Sequence, residues 1–283
     1  MTPPVPLCSR AEADEGFGFR PALQGLRAIA IMLVVLAHAG VTLFGGGFVG
    51  VDVFFVLSGY LISGLLLREL GQSGGIAFAR FYARRLRRLL PALIVMLGLT
   101  AAAAHWLLSG VEARAQLASA PFAATWISNL YFAFTTIDYF DELATRDLFL
   151  HTWSLGVEEQ FYLVWPILLL ALFVIGCWKR AASRYPMSFV SLTLVFLVSL
   201  ALSLYWSMNA PHAALYLMPS RIWQFALGAM VYLAFQNVPL RETGSTPDLR
   251  RTATAAWLAL MTGLLLILGS AVLLRPNLTY PGF

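Results

Sequence analysis

The sequence predicts an all-α fold, a polytopic helical bundle in a membrane with about seven or eight transmembrane helices. Of the 283 residues, 59% are hydrophobic and 12% are charged, and this charged share is about half that of an ordinary soluble domain. Long apolar runs recur along the chain, and roughly 20 mostly apolar residues are needed to cross a bilayer. Arginines concentrate between two of these runs, which is typical of a cytoplasmic loop.

Seven apolar runs are predicted to cross the membrane. An eighth stretch, residues 117–135, mixes polar residues with a proline and also fits a re-entrant or interfacial segment, so we predict that it does not cross. The seven runs cover residues 26–44, 49–67, 89–108, 161–178, 187–206, 222–235 and 257–274.

The positive charges set the predicted orientation. The linker from Arg68 to Arg88 holds six arginines and is therefore expected on the cytoplasmic side. The N-terminal tail, residues 1–19, then lies in the cytoplasm as well. It lacks the apolar core of a cleaved signal peptide, so we expect residues 20–283 to form one membrane domain that begins with its own first span.

Ionisable residues occur inside the predicted spans, where each is a functional hypothesis because its burial is costly. Arg27 and His38 are eleven residues apart, about three helical turns, and return to nearly one face. Asp52 and Ser58 follow in the second span. We expect one polar chamber in the outer half of the membrane, formed by four spans and lined by His38, Asp52, His151, Glu158, Glu159 and Arg221.

The stretch "HTWSLGVEEQFYLVWP", residues 151–166, carries two adjacent carboxylates into an apolar run. On a helix, His151, Ser154 and Glu158 share one stripe and Glu159 lies on the next. Adjacent residues cannot point the same way, so only one of the two glutamates is expected to face the chamber.

Several of these residues have structural alternatives that the sequence leaves open. His38 could bond a neighbouring carbonyl, Asp52 and Arg221 could form a buried ion pair, and Ser58 could serve close helix packing. Arg85 and Arg88 could act only as a topology signal, or as a phosphate clamp, because guanidinium groups match phosphate oxygens. No HExxH or cysteine-rich spacing occurs, so no metal site is predicted.

Four blocks of sequence resemble the acyltransferase-3 family of membrane-bound acyltransferases. The blocks are "RPALQGLRAIAIMLVVLAHAG" with Arg27 and His38, "GGFVGVDVFFVLSGYLISG" with Asp52 and Ser58, "FYARRLRRLLPAL" with Arg85 and Arg88, and "HTWSLGVEEQFYLVWP". They occur in order within residues 20 to 235. The resemblance implies a membrane domain of about ten helices and the transfer of an acyl group, often acetyl, from cytoplasmic acyl-CoA to a sugar hydroxyl across the membrane.

The resemblance also implies roles for the residues. His38 would act as general base, or carry the acyl group as an acyl-histidine, with Asp52 as its partner. Glu158 or Glu159 would orient the imidazole or bind sugar hydroxyls. Arg27, Arg85 and Arg88 would bind the acyl-CoA donor, and the remaining site residues would bind the carbohydrate acceptor. Those four are Ser58, His151, Ser154 and Arg221.

The expected setting is a bacterial inner membrane, with no tightly bound cofactor, no metal and no nucleic-acid partner. The acceptor stays open among lipopolysaccharide O-antigen, peptidoglycan, an exported polysaccharide and a small molecule. Two departures from the family matter: Gln224 stands where a carboxylate is usual, and the chain ends where a further helix is expected. A transporter or flippase of an anionic or lipid-linked sugar, or an inactive fragment, therefore remains as the alternative.

Overall fold

The computed structural model describes residues 21–135, 147–178, 184–235 and 248–274, so the predicted tail of residues 1–19 lies outside the described residues. In the described part, all regular structure is helical, as predicted. Three short 3-10 segments accompany the α-helices. The α-helices are α1 (Pro21–His38), α2 (Val49–Ser73), α3 (Phe78–Leu107), α4 (Gly110–Gln116), α5 (Ala120–Ala124), α6 (Ser128–Phe134), α7 (Trp153–Trp178), α8 (Arg184–Asn209), α9 (Pro211–Tyr216), α10 (Ile222–Phe235) and α11 (Asp248–Leu273).

Among the described residues, five segments are long and apolar enough to cross a membrane, and two shorter apolar helices join them, which confirms the predicted polytopic helical bundle. The shorter ones are Ile222–Phe235 and Trp257–Leu273. Many large apolar side chains on these helices face outward, as a bilayer requires. The five long segments are Pro21–His38, Val49–Ser73, Phe78–Leu107, Leu150–Val174 and Phe189–Asn209.

The ambiguous stretch at residues 117–135 contains only short helices. α5 has five residues and α6 has seven. At 1.5 Å of rise per residue neither can cross a hydrocarbon core of about 30 Å, which agrees with the prediction that this stretch does not cross. It is held against α7 by paired amides: Gln160 Nε2 donates to Asn129 Oδ1 at 2.9 Å, and Asn129 Nδ2 donates to Gln160 Oε1 at 3.2 Å.

The centre of the bundle is the close crossing of α2 and α10. A Cβ added at Gly59 would lie 2.1 Å from the Phe225 carbonyl oxygen, and one at Gly228 would lie 2.0 Å from the Val56 carbonyl oxygen. Only glycine permits such a backbone approach. The two glycines therefore set the position of α2 relative to α10.

Stacked aromatic rings tie α7 to this crossing. The Phe161 and Phe225 rings stack with their centroids 3.9 Å apart, and the Phe55 ring stacks on the other side of Phe225 at 4.8 Å. Aromatic pairs of this kind add to the energy of burial. This packing brings the α2 residue Ser58 to the α7 residue Glu158.

Candidate active site

α1, α2, α3 and α7 enclose a cavity of about 640 Å³, called here the basic cavity. Three arginines of α3 line this cavity, and Arg88 neighbours both Arg84 and Arg85 on the helix surface because it follows them by four and three residues. Arg27 of α1 joins them across the cavity, and Glu158 of α7 is the one acidic residue in the described lining. The lining is therefore strongly positive.

The structure brings Arg27, Arg85 and Arg88 together around this cavity, and it adds Arg84, which the sequence interpretation had not selected. Arg84 could have been found from its four-residue spacing to Arg88. Arg87 belongs to the same arginine run but does not line the cavity. The run therefore contains both cavity residues and an arginine that points elsewhere.

Two guanidinium nitrogens at this site are buried without a protein partner among the described residues. They are Nε of Arg27 and Nε of Arg85. Buried donors in proteins nearly always find an acceptor. These two atoms are accordingly candidates to bind an anionic ligand in the basic cavity.

Glu158 is the centre of a hydrogen-bonded cluster at the cavity wall. Its carboxylate accepts hydrogen bonds from the hydroxyls of Ser58 and Tyr162, and Tyr162 Oη lies 3.0 Å from Ser58 Oγ. Tyr162 was missed from the sequence, although its four-residue spacing places it beside Glu158 on a helix. The Arg85 guanidinium carbon lies 3.0 Å from the centroid of the Tyr162 ring, a cation–π contact.

The two adjacent glutamates face different neighbours, as the sequence required. Glu158 lines the basic cavity, whereas Glu159 Oε1 accepts from Arg85 Nη2 at 3.3 Å. Glu159 therefore holds an arginine of the cavity in position rather than lining the cavity itself.

Asp52 and Arg221 form a separate buried cluster, and here the structure differs from the predicted chamber. Arg221 Nη1 donates to Asp52 Oδ1 at 3.0 Å, and Arg221 Nε donates to the Leu215 carbonyl at 2.9 Å. Arg221 is only 1% exposed, and neither Asp52 nor Arg221 lines the basic cavity. Asp52 therefore forms the ion pair with Arg221 that the sequence had left open as an alternative, and its role as a partner of His38 stays a prediction.

Gln224 completes this cluster and accounts for the missing carboxylate. Its Nε2 donates to Asp52 Oδ1 at 2.6 Å. An ionised carboxylate at position 224 could not donate a hydrogen bond and would repel Asp52. In this chain the Gln224 amide therefore stabilises the ion pair by donating a hydrogen bond to Asp52.

His38 and His151 form a third group, with His38 at the C-terminal end of α1 and His151 just before α7. Both side chains are exposed, and the two imidazoles lie close enough to interact electrostatically. His38 Nδ1 lies 2.8 Å from the Val34 carbonyl oxygen, a contact that favours, in the neutral imidazole, the tautomer with the proton on Nδ1 and the lone pair on Nε2. Glu158 is seven residues beyond His151, about 10 Å along a helix. The predicted single chamber is consequently divided into separate groups at different depths.

A second cavity, of about 260 Å³ and called here the apolar cavity, lies between α1, α2 and α7. Ser154, predicted to bind the acceptor, lines it, and its hydroxyl donates to the His151 carbonyl at 3.3 Å. Ile31, Phe54 and Glu158 line both cavities. The two cavities therefore meet at these three side chains.

Asp147 stabilises the chain where it enters the segment that carries His151. Its Oδ1 accepts from the Ser119 hydroxyl at 2.5 Å and from the Phe149 N–H at 2.9 Å. Burial raises the pKa of Asp147, and these two hydrogen bonds oppose that rise. The contact joins the loop before α7 to the short-helix stretch.

The fold and the basic cavity define an integral membrane protein with a polar site among its helices. The chain belongs to the acyltransferase-3 family, whose acyltransferase domain matches residues 20–282. This result confirms the resemblance seen in the four sequence blocks.

Individual relatives agree with this membership. The chain is 36% identical over 233 residues to a "Putative O-acetyltransferase" of Staphylococcus aureus, covering 81% of this chain and 37% of that protein. It is 32% identical over 237 residues to a "Putative peptidoglycan O-acetyltransferase" of Bacillus subtilis, covering 83% of this chain and 36% of that protein.

A third relative is the peptidoglycan O-acetyltransferase of Listeria monocytogenes, which is 38% identical over 151 residues, or 53% of this chain and 24% of that protein. The chain thus spans well under half the length of these curated relatives. No solved structure matches the chain.

Proposed function

We propose that this chain is the membrane domain of an O-acyltransferase that moves an acyl group from acyl-CoA in the cytoplasm to a sugar hydroxyl of a cell-envelope glycan outside the membrane. The simplest acyl group is acetyl, since the similar proteins are named O-acetyltransferases. Two of these names specify peptidoglycan, so peptidoglycan is the acceptor to test first. The proposed setting is a bacterial inner membrane with the N-terminus inside.

The observation that carries the proposal is the basic cavity. Coenzyme A is a phosphate-rich anion, and guanidinium groups bind phosphate by paired, charge-assisted hydrogen bonds. Arg27, Arg84, Arg85 and Arg88 line one cavity, and the Nε atoms of Arg27 and Arg85 lack a protein acceptor in the described chain. This cavity would hold the phosphates of the donor.

His38 would then act on the acceptor. With Nδ1 bonded to the Val34 carbonyl, Nε2 takes the proton from the sugar hydroxyl as its oxygen attacks the thioester carbonyl, a general-base role worth roughly 10²–10⁴-fold in rate. The carbon–sulfur bond then breaks, and the departing thiolate takes the proton back from the imidazolium. In the acyl-histidine variant, Nε2 itself attacks the thioester carbonyl and the carbon–sulfur bond breaks to release the CoA thiolate. The sugar oxygen then attacks the acyl carbon, the carbon–nitrogen bond breaks, and the thiolate takes the proton of the sugar hydroxyl.

The decisive experiment measures acyl transfer by the purified chain. Incubation with acetyl-CoA and peptidoglycan fragments should release free CoA and produce O-acetylated sugar, and His38→Ala should abolish both. His105→Ala is the matched control, because His105 is another exposed histidine near the end of a long helix. Sugar movement across vesicles without CoA release would favour the transporter alternative instead.

The proposed orientation has its own test. Of two reporters fused in the loop near Arg180, we expect only the one that works in the cytoplasm to be active. The reason is that the loop lies on the inner side if residues 117–135 do not cross the membrane. If instead only a reporter that works outside the cytoplasm is active there, the predicted orientation of that loop and of every later loop is wrong.

A further inference from the structure

The apolar cavity continues from the basic cavity toward the outer end of the bundle. Ile31, Phe54 and Glu158 line both spaces. Beyond these three the lining is apolar apart from Ser154, and it consists of Val34, Val35, Val51, Phe55 and Leu155. An elongated ligand held by its charged end in the basic cavity would therefore place its other end among aliphatic and aromatic side chains.

The apolar cavity also adjoins the segments that carry both histidines. Val34 lines it, and the Val34 carbonyl is the group that His38 Nδ1 contacts at 2.8 Å. Ser154 lines it from the opposite side and contacts the His151 carbonyl. A ligand in this cavity would thus lie within about one helical turn of the His38 and His151 backbone positions.

We propose that the apolar cavity is the binding site for the acyl group of the thioester donor and that its walls limit the length of that group. This inference rests on the proposed function, since it requires acyl-CoA in the basic cavity. The division of the lining matches the donor: arginines surround the phosphate end, and apolar side chains surround the hydrocarbon end. Each methylene that finds a place in the cavity should strengthen binding about fourfold.

A bilayer acyl chain is the competing occupant, because Ile31 and Val35 are about half exposed, at 52% and 53%. Glu158 argues against a lipid chain. Its carboxyl group lines the junction of the two cavities, and a polar group of this kind beside a lipid tail is unfavourable. A thioester donor, by contrast, is polar in the middle and apolar only at its acyl end.

The test measures binding of free CoA and of acetyl-, butyryl-, hexanoyl- and octanoyl-CoA to the purified full chain by calorimetry. Two substitutions change the cavity in opposite directions. Val51→Ala enlarges it and should raise the ratio of hexanoyl-CoA to acetyl-CoA affinity by about fourfold or more. Val35→Phe narrows it and should lower that ratio by a similar factor.

Each variant has a matched control that lines neither cavity. Val53→Ala repeats the first change two residues along α2. Met32→Phe places the same aromatic ring on α1 at a position that is 56% exposed, close to the 53% of Val35. Both controls should keep the wild-type ratio.

The outcomes separate this inference from the proposed function. If CoA binds but neither Val51→Ala nor Val35→Phe moves the chain-length ratio, the acyl site is wrong and the CoA site stands. If the wild-type chain binds no CoA compound, the proposed function fails and the acyl site fails with it. Because Val35 is exposed, Val35→Phe should leave the fold intact, so the chain-length ratio can be measured even if Val51→Ala unfolds the protein.

Discussion

Two arginine-containing regions of this molecule show how one residue type takes opposite roles. Arg221 is 1% exposed and is bonded to Asp52 and to the Leu215 carbonyl. Arg88, like Arg84, is exposed at the basic cavity. A guanidinium with bonds inside the protein stabilises the fold, whereas one that faces a cavity can exchange water for a ligand's phosphate.

The surroundings of the two regions reinforce this difference. The Arg221 cluster contains a carboxylate, an amide and a backbone carbonyl, so its positive charge is balanced within the protein. Four arginines line the basic cavity with Glu158, and Glu159 supports Arg85 from beside it. The excess positive charge there remains for an anionic ligand to balance.

The largest expected effect is on stability, at Arg221. Arg221→Ala leaves Asp52, whose side chain is 27% exposed, without its cation; removing one partner of a fully buried ion pair costs about 3–5 kcal/mol, and we expect the lower end of that range here. We expect a correspondingly lower melting temperature in detergent. The double variant Asp52→Leu with Arg221→Met should regain much of the loss, because it removes both charges.

A different result for Arg221 would contradict the contrast between a structural arginine and the ligand-binding arginines of the basic cavity. If Arg221→Ala melts like the wild-type protein but binds the glycan acceptor poorly, then Arg221 is a substrate-binding residue, as the sequence had suggested.

The next effect is on donor affinity, at Arg88. Arg88→Ala removes charge-assisted hydrogen bonds to phosphate, each worth about 1.5–3 kcal/mol, so CoA affinity should fall by about 10- to 100-fold. Arg85→Ala combined with Arg88→Ala should weaken it further and raise the KM for acyl-CoA. Arg87→Ala is the control, since Arg87 is exposed in the same run but outside the cavity lining.

Melting temperature separates a binding role from a topological one. Arg88→Ala should change stability by no more than about 0.5 kcal/mol, as expected for an exposed residue. Equal losses of CoA affinity in Arg87→Ala and Arg88→Ala would show that the run acts only through its total charge.

A smaller effect is expected at Tyr162. Tyr162→Phe removes the hydroxyl that donates to Glu158 but keeps the ring beneath Arg85. Loss of a hydrogen bond to a charged acceptor costs about 1.5 kcal/mol, so acyl transfer should slow by about tenfold with CoA affinity nearly unchanged. Tyr82→Phe is a suitable control, because the Tyr82 hydroxyl contacts backbone carbonyls of α7 and not Glu158. A rate equal to that of the wild type would show that the Tyr162 hydroxyl does not contribute to acyl transfer.

The smallest expected effect is the response to salt, which should differ between the basic cavity and the Arg221 cluster. Raising ionic strength from 0.15 M to 1 M shortens the Debye length from about 8 Å to about 3 Å, and exposed charges are screened far more than buried ones. CoA affinity should therefore fall a few-fold in 1 M salt, while the stability difference between Arg221→Ala and the wild type stays constant. Salt-independent CoA binding would indicate that the arginines do not hold the phosphates.

The general architecture could be read from the sequence because composition and span length are local properties. Apolar runs separated by an arginine-rich linker were enough to predict a polytopic helical bundle. For residues 117–135, a proline and scattered polar residues disfavour one continuous helix, and the structure has two short helices there; that the stretch does not cross the membrane stays a prediction. Helical spacing likewise showed that Glu158 and Glu159 must face different neighbours.

The depth and pairing of the polar residues could not be read in this way. Spacing placed Asp52, Glu158 and Arg221 in one chamber, but they belong to different clusters. Tyr162 and Arg84 were not selected: their four-residue spacings place them beside Glu158 and Arg88 on their helices, but only the neighbouring helices decide which helix face lines a cavity.

The sequence by itself determined that this chain is a helical membrane protein of the acyltransferase-3 family and which residue types its site can use. Those features follow from composition, from 3.6-residue periodicity and from short motifs within single segments. Only the tertiary structure decided which arginines face a cavity and which one is held inside the protein. The physical reason is that these pairings join residues distant in sequence: the close crossing of α2 and α10 at Gly59 and Gly228 brings Arg221 and Gln224 to Asp52, and the packing of α1, α2, α3 and α7 leaves the basic cavity between them.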